Sequence, residues 1–276
     1  MSHLSEPKQA AAGAESKARW SRRDAMCLGF ALIPAAALIS KPELRQRLVP
    51  AALVTLAFAL LAWRLRGVSG TGAVAGFLLT LTLFLGGGPE MFAVVLLVFV
   101  LTFIATRTGR RRKQKLHIAE RESGRDGAQV IANVGCAALA AALAQLTPRI
   151  AFLAGSIAAL AEAASDTVSS ESGKALTQTA RLITSFKSVP AGIDGGISLP
   201  GTFLGMAAAV VIGYEAAATG ILSAQSAFFA TTAGIAGMFL DSVLGATLEQ
   251  RGWLSNNAVN LVSTAFSSAA AFILVR

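Results

Sequence analysis

Val68–Lys115 reads VSGTGAVAGFLLTLTLFLGGGPEMFAVVLLVFVLTFIATRTGRRRKQK. Two long apolar runs, Val68–Leu85 and Pro89–Ala105, are followed at Arg107 by a dense cluster of cations. A helix needs roughly 20 mostly apolar residues to cross about 30 Å of hydrocarbon, and each run is of that order. Working outward, further candidate spans run over Ala25–Ile39, Leu48–Trp63, Val130–Leu146, Ile150–Ser165, Gly201–Ile221, Ser226–Leu248 and Asn257–Val275. The chain is 54% hydrophobic and 14% charged, with a mean hydropathy of +0.61, too apolar for an ordinary water-soluble domain. The expectation is an all-α polytopic membrane bundle of about seven to nine transmembrane helices. Small residues at close spacing, such as Gly70, Ala73 and Gly76, let helices approach each other in lipid.

Residues 1–24 read as a disordered, basic cytoplasmic tail and residues 25–276 as a single transmembrane domain. The first span is short. With Arg22 and Arg23 ahead of it and Ala35-Ala36-Ala37 behind, Met26–Ala37 also fits a signal peptide, though the long polar head favours an uncleaved helix. Cys27 and Cys136 each lie in an apolar run, which points to packing. The only histidines, His3 and His117, are too few and too isolated for a histidine-based zinc site or a Ser-His-Asp triad.

Cationic loops resist translocation, so they set orientation. The segment Arg107–Arg125 holds Arg107, Arg110, Arg111, Arg112, Lys113, Lys115, Arg121 and Arg125. Placing it inside and alternating nine spans leaves 19 of the 24 Lys and Arg residues in the cytoplasm, with the N-terminus, at an inner (plasma) membrane. Lys41, Arg45 and Arg47 fall outside, which suggests that the first two helices form a hairpin or a re-entrant pair. The net charge of +9 reads as this topology signal and as an anionic-lipid-facing surface. No nucleic-acid partner is expected, because no aromatic residues are interleaved with the basic cluster.

Ionisable residues in spans cost at least about 2.5 kcal/mol at mid-membrane, which makes them functional candidates. Glu162, Asp166 and Ser169 fall on one helix face, and Asp241, Gly245 and Glu249 share another. Asn133 shares a face with Arg125 and Gln129. The expected topology brings all three stripes to the cytoplasmic boundary, beside loops at 106–129 and 166–200. The second loop combines carboxylates, cations and glycines in Ser165-Asp166-Thr167-Val168-Ser169-Ser170-Glu171-Ser172-Gly173-Lys174, in Arg181 and Lys187, and in Val189-Pro190-Ala191-Gly192-Ile193-Asp194-Gly195-Gly196-Ile197-Ser198. Mg²⁺ takes one or two carboxylates plus phosphate oxygens, and phosphates take Lys, Arg and free backbone N–H groups near glycine. It is not a Walker A loop, since Gly173-Lys174 is followed by Ala175.

From about Leu48 to its end the sequence resembles the integral membrane family called domain of unknown function 92, whose plant member is the phytyl-phosphate kinase of tocopherol synthesis. The resemblance is carried by Ala105-Thr106-Arg107-x-Gly109, Gln129-Val130-Ile131-Ala132-Asn133, Ser165-Asp166-Thr167-x-Ser169-Ser170-Glu171-x-Gly173 and Arg181-Leu182-Ile183-Thr184. Val189-Pro190-x-Gly192-x-Asp194-Gly195-Gly196-x-Ser198 and Asp241-Ser242-x-x-Gly245-Ala246-Thr247 complete it. The central segment is also similar to CTP-dependent polyprenol and phytol kinases and to CDP-diacylglycerol synthases. Those synthases have histidine where Asp194 stands and an Asp-Arg pair that is missing after Gly196, a departure that favours phosphoryl over cytidylyl transfer.

The resemblance implies a membrane-embedded kinase that moves a phosphoryl group from CTP or ATP to an isoprenoid monophosphate with Mg²⁺ (or Mn²⁺). Asp166, Lys187 and Asp194 would be catalytic, and Asp166, Glu171, Asp194 and Asp241 would share the metal. Arg181, Lys187, Gly192, Gly195, Gly196, Ser198, Asn133 and Arg107 would hold nucleotide and phosphate. The role of Glu171 requires the helix to end near Ser169 or Ser170, since an offset of five from Asp166 otherwise turns it away. A transporter or scramblase of anionic or lipid-linked solutes is the competing class.

Overall fold

The computed structural model describes residues 22–276. Most of the expected tail, with His3, lies outside the described residues, as does the side chain of Cys27. The described chain is a helical bundle: α1 (Arg22–Ile39), α2 (Arg45–Arg64), α3 (Gly70–Arg107), the short α4 (Arg110–Lys115), α5 (Gly127–Leu146), α6 (Ile150–Leu176), α7 (Leu199–Ala218), α8 (Ala224–Leu244) and α9 (Asn256–Leu274). Between α6 and α7 lie three short strands, β1 (Thr179–Leu182), β2 (Ser188–Pro190) and β3 (Gly196–Ile197). A π-helical turn, Gly245–Glu249, extends α8. Among the described residues, seven helical segments are long and apolar enough to cross a membrane. The chain is a polytopic helical membrane protein, as expected.

A straight helix of 38 residues would be about 57 Å long, nearly twice the hydrocarbon thickness, so α3 cannot span as one rod. It folds at Gly88, whose φ of 81° and ψ of −176° belong to a region that only glycine enters readily. Pro89 follows, where its fixed φ and missing N–H suit a helix start. The two arms run back to back, and the Arg107 guanidinium at the end of the second donates to the Leu65 carbonyl just before the first. The expected spans Val68–Leu85 and Pro89–Ala105 are these two arms. The first two helices are joined by a tight 3₁₀ turn at Pro42–Leu44. Each packs on α3, and the Lys41 ammonium at their turn donates to the Gln145 carbonyl at the end of α5.

Because the spans alternate, Lys41, Arg45, Arg47, Arg149 and Arg276 lie at one end of the bundle, and every other Lys and Arg from Arg64 onward lies at the opposite, basic end. The long helices α3, α5, α7 and α9, which start at the basic end, carry their own caps. Ser69, Asp126, Ser198 and Ser255 each accept a hydrogen bond from a first-turn backbone N–H, and Asp126 forms a capping box with Gln129.

Helix α6 is the central post. Its Ala154, Ile157, Ala158, Ala159, Leu160, Ala161 and Ala164 are wholly buried, and α5, α7, α8 and α9 pack around it. Small residues allow this crowding, since packing rather than hydrophobicity holds helices together in lipid. A Cβ at Gly205 of α7 would stand 2.6 Å from the Ser165 carbonyl oxygen, and one at Gly234 of α8 would stand 3.1 Å from that of Ala158.

The expected loop at 166–200 is corrected in two ways. Helix α6 continues to Leu176, so Asp166 through Lys174 are helical. The remainder contains an antiparallel sheet of order β2-β1-β3, with Ala180 opposite Val189 and Leu182 opposite Gly196.

Candidate functional site

At the basic end, a polar cavity of about 180 Å³ opens between α5, α6, α8 and α9 and beneath the β-sheet segment. Helix α6 contributes Asp166, Thr167 and Lys174; the segment entering α5 contributes Arg125 and its first turns Gln129 and Asn133; α8 and its π turn contribute Asp241, Ser242, Gly245 and Glu249; α9 contributes Asn256 and Asn260. Gly192, Asp194, Gly195, Gly196 and Ser198 form the roof. The i, i+3 and i, i+4 stripes read from the sequence therefore face one space, apart from Glu162, which lies a turn deeper in α6 and does not line it.

Several contacts fix this geometry. The Ser263 hydroxyl donates to Asp241 Oδ2 at 3.1 Å, and Asn260 Nδ2 donates to Asn133 Oδ1 at 3.3 Å. The Arg125 guanidinium donates to Thr167 Oγ1 at 3.2 Å. The roof is pinned at the π turn. Gly195 has a φ of +72°, and a Cβ there would lie 2.4 Å from the Ala246 backbone nitrogen, while Gln250 Nε2 donates to the Asp194 carbonyl at 2.7 Å. Only glycine gives both the left-handed turn and this approach of backbone to backbone.

Among the described residues, Glu162, Asp166, Asp194, Asp241 and Glu249 have no Lys or Arg nitrogen within 4.0 Å. Glu162 is 1% exposed, its Oε2 has no hydrogen-bond partner, and its Cγ lies 2.7 Å from where a Cβ on Gly237 of α8 would be. A carboxylate left in such surroundings is costly unless a cation or a proton meets it. The cavity thus has a surplus of acid, with Arg125 and Lys174 as the cations that also line it.

Asp166, Asp194, Asp241, Asn133, Gly192, Gly195, Gly196 and Ser198 line this cavity, as the sequence suggested. Others are placed differently. Glu171 also borders the cavity, but α6 does not end at Ser169 or Ser170, and both Glu171 oxygens are engaged, Oε2 by Lys113 at 2.6 Å and Oε1 by Lys174 at 3.1 Å. Lys187 is exposed beside the turn joining β1 and β2, and Arg181 spends its guanidinium on the Phe186 carbonyl at 2.9 Å; neither lines the cavity. Arg107 sits outside it too, 4.6 Å over the Phe103 ring. Among the described residues no three His, Cys, Asp or Glu side chains form a group able to enclose a metal ion, so Asp166, Glu171, Asp194 and Asp241 are not a closed cage. Arg125, Lys174 and Glu249 were absent from the expected site. Arg125 and Glu249 each lay on a stripe already legible in the sequence, and Lys174 lies on α6 two turns beyond Asp166.

Beside the polar cavity lies an apolar one of about 130 Å³ between α2, the two arms of α3 and α5, and the two share Glu120, Arg125 and Asn133 as wall.

Fold and site together define a multi-pass helical membrane protein with a polar cavity at the charged end of its bundle. The profile of the integral membrane protein family DUF92 matches residues 53–268, and the chain belongs to that family. It is 36% identical over 192 residues to the uncharacterized membrane protein sll0875 of Synechocystis sp., covering 67% of this chain and 73% of that one. It is 31% identical to the chloroplastic protein VTE6 of Arabidopsis thaliana, over 75% of this chain and 65% of the relative. It is 33% identical to the uncharacterized membrane protein MJ0933 of Methanocaldococcus jannaschii, over 79% of this chain and 90% of the relative. No solved structure matches it.

Proposed function

We propose that this protein is a membrane-embedded phosphotransferase that moves the terminal phosphoryl group of CTP or ATP onto an isoprenoid monophosphate. The observation that carries the reading is the meeting of a polar, acid-rich cavity and an apolar cavity at the shared residues Arg125 and Asn133. Such an acceptor needs a wet place for its phosphate and a dry one for its tail. The family resemblance to a phytyl-phosphate kinase supplies the substrate class.

The unpaired carboxylates of Asp166 and Asp241 suit Mg²⁺ held in part by protein, because that ion usually takes one or two carboxylates and completes its shell with phosphate and water. When bound it would neutralise phosphate charge. Asp166 and Asp241 would hold it, and Asp194 or Glu249 would border it. Arg125 and Lys174 would orient the phosphates, and the Asp194-Gly195-Gly196 turn would let backbone approach them. An oxygen of the acceptor phosphate attacks the terminal phosphorus, the bond to the bridging oxygen breaks, and a nucleoside diphosphate leaves. That nucleophile is already ionised, so no general base is required, and catalysis is positioning and charge neutralisation. By the distribution of cations, the basic end faces the cytoplasm of an inner membrane. The test is purified protein with labelled CTP or ATP, Mg²⁺ and a short-chain prenyl monophosphate, followed for diphosphate formation.

A second reading rests on Glu162. It lies one turn deeper than Asp166, buried and partly unpartnered, and could belong to a pathway for ions through the bundle. Transport of an anionic solute without nucleotide binding would favour that reading.

A further inference from the structure

The apolar cavity is walled by aromatic and aliphatic side chains. Phe58 of α2, Leu79 of the first arm of α3, and Val98, Phe99 and Phe103 of the second arm form its walls. Phe58 meets Phe99 edge to face at 5.2 Å, and Phe99 stacks on Phe103 at 5.5 Å, so this wall is set by aromatic packing. Gly76, Phe99 and Phe103 are only half-buried, so the space opens at the flank of the bundle. A Cβ added at Gly76 would meet no atom within 4 Å, which marks unfilled room beside the first arm.

The end of this groove toward the polar cavity is cationic. Arg66, Arg107, Arg110, Arg121 and Arg125 line it against the one carboxylate of Glu120, and among the described residues Arg66, Arg107 and Arg125 have no carboxylate oxygen within 4.0 Å. Arg107 is held against the groove by its bond to the Leu65 carbonyl and by the Phe103 ring. An apolar trough with three guanidinium groups at its mouth that pair with no carboxylate matches a single apolar tail ending in an anion. Arg125, on the wall common to both cavities, also bonds Thr167, the residue after Asp166 on α6.

We infer that the groove between α2 and the two arms of α3 is the binding site for the acceptor's isoprenoid tail, with Arg66 and Arg107 at its mouth and Arg125 delivering the phosphate to the polar cavity. This rests on the kinase reading for the identity of the acceptor, but not for the existence of the groove. The tail lies along the first arm past Gly76, and the groove's length selects tail length.

The test fills the room at Gly76. Labelled geranylgeranyl monophosphate is bound to the purified full chain in nanodiscs, with wild type, Gly76→Ala and Gly76→Leu compared, and thermal unfolding recorded for each. Gly76→Leu is expected to weaken binding at least about tenfold, the equivalent of roughly two methylenes losing their place, and Gly76→Ala by much less. Binding of dimethylallyl monophosphate, whose single isoprene unit has far less tail to place in the groove, should fall much less than that of the long acceptor, and unfolding temperatures should not fall, since both substitutions replace a helical glycine. Unchanged binding of the long acceptor to a folded Gly76→Leu protein would overturn the assignment. So would equal competition by phosphatidylglycerol in wild type, which would make the groove a site for bulk membrane lipid. If the groove behaves as expected while wild type binds no nucleotide, the tail site stands and the kinase reading fails.

Discussion

The Lys113 ammonium lies 2.6 Å from Glu171 Oε2, and the two side chains are 1% and 8% exposed. Lys113 also donates to the carbonyls of Ala105 and Thr106, at 3.2 and 2.8 Å, so a single buried cation ties the end of α3 and the start of the basic segment to α6. Glu171 is held by Lys174 as well, at 3.1 Å. Removing one member of a buried pair strands the other, typically at a cost of about 3 to 5 kcal/mol.

The two members should therefore fail unequally. Glu171→Ala strips the partner from both lysines and is expected to lower the unfolding temperature in detergent well below that of Lys113→Met, which leaves Glu171 bonded to Lys174. The double variant Lys113→Met with Glu171→Met should recover much of the loss, since apolar replacement of a buried pair is often neutral. A Glu171→Ala protein as stable as wild type but unable to bind Mg²⁺ and nucleotide would restore Glu171 to the metal set.

Asp166→Asn and Asp241→Asn keep side-chain size while removing charge from a crowded acidic wall. Each is expected to express at wild-type level or better, because a neutral amide is cheaper in this setting than an unpaired carboxylate. Mg²⁺-dependent nucleotide binding should fall by more than about tenfold, the scale of one lost charged contact. Isothermal titration with and without Mg²⁺ separates the two effects. Reduced yield with unchanged affinity in the surviving protein would point to a structural role instead.

Much of this arrangement is legible in the sequence because helix periodicity is enough to place it. Glu162 and Asp166, Asp241 and Glu249, and Asn133 with Gln129 share faces by spacing alone, and alternating spans carry them to one end. What was not legible depends on tertiary contact. Ser169, Ser170, Ser172 and Gly173 are poor helix formers, so the segment reads as a loop. It is helical because α7 packs against it, with a Cβ at Gly201 falling 2.5 Å from the Ser169 carbonyl oxygen. Closeness in sequence likewise put Lys187 beside Asp194, yet the antiparallel pairing of β1 and β2 carries it out to the turn. The fold of α3 at Gly88 left the count of spans unchanged, since the two apolar runs already stood on either side of it.

Orientation can be measured at Arg111, which is exposed in α4 among the densest cations. Moving so many positive charges across a membrane is strongly disfavoured, so Arg111→Cys, in a protein whose Cys27 and Cys136 are replaced by alanine, should resist a membrane-impermeant maleimide in intact cells and react after permeabilisation. Labelling of intact cells would place the polar cavity outside and remove its access to cytoplasmic nucleotide.

The last prediction separates cations that line the polar cavity from those that only neighbour it in sequence. Arg125 and Lys174 face the cavity, whereas Lys187 is exposed beside the β1–β2 turn. A hydrogen bond to a charged group contributes about 1.5 to 3 kcal/mol, so Arg125→Ala should weaken nucleotide or acceptor binding by roughly 10- to 100-fold. Lys174→Ala should weaken it less, because that ammonium already shares Glu171. Lys187→Ala should change affinity by less than about twofold at physiological salt, because its exposed charge does not line the cavity and is screened by solvent ions. Titration at low and high salt adds a second readout: the contribution of Lys187 should vanish as salt rises, while that of Arg125 should persist because its partner is sheltered. If Lys187→Ala abolished binding at every salt concentration and Arg125→Ala did not, the β-hairpin would have to close over the cavity in the working protein, and the phosphate-binding role would return to Lys187.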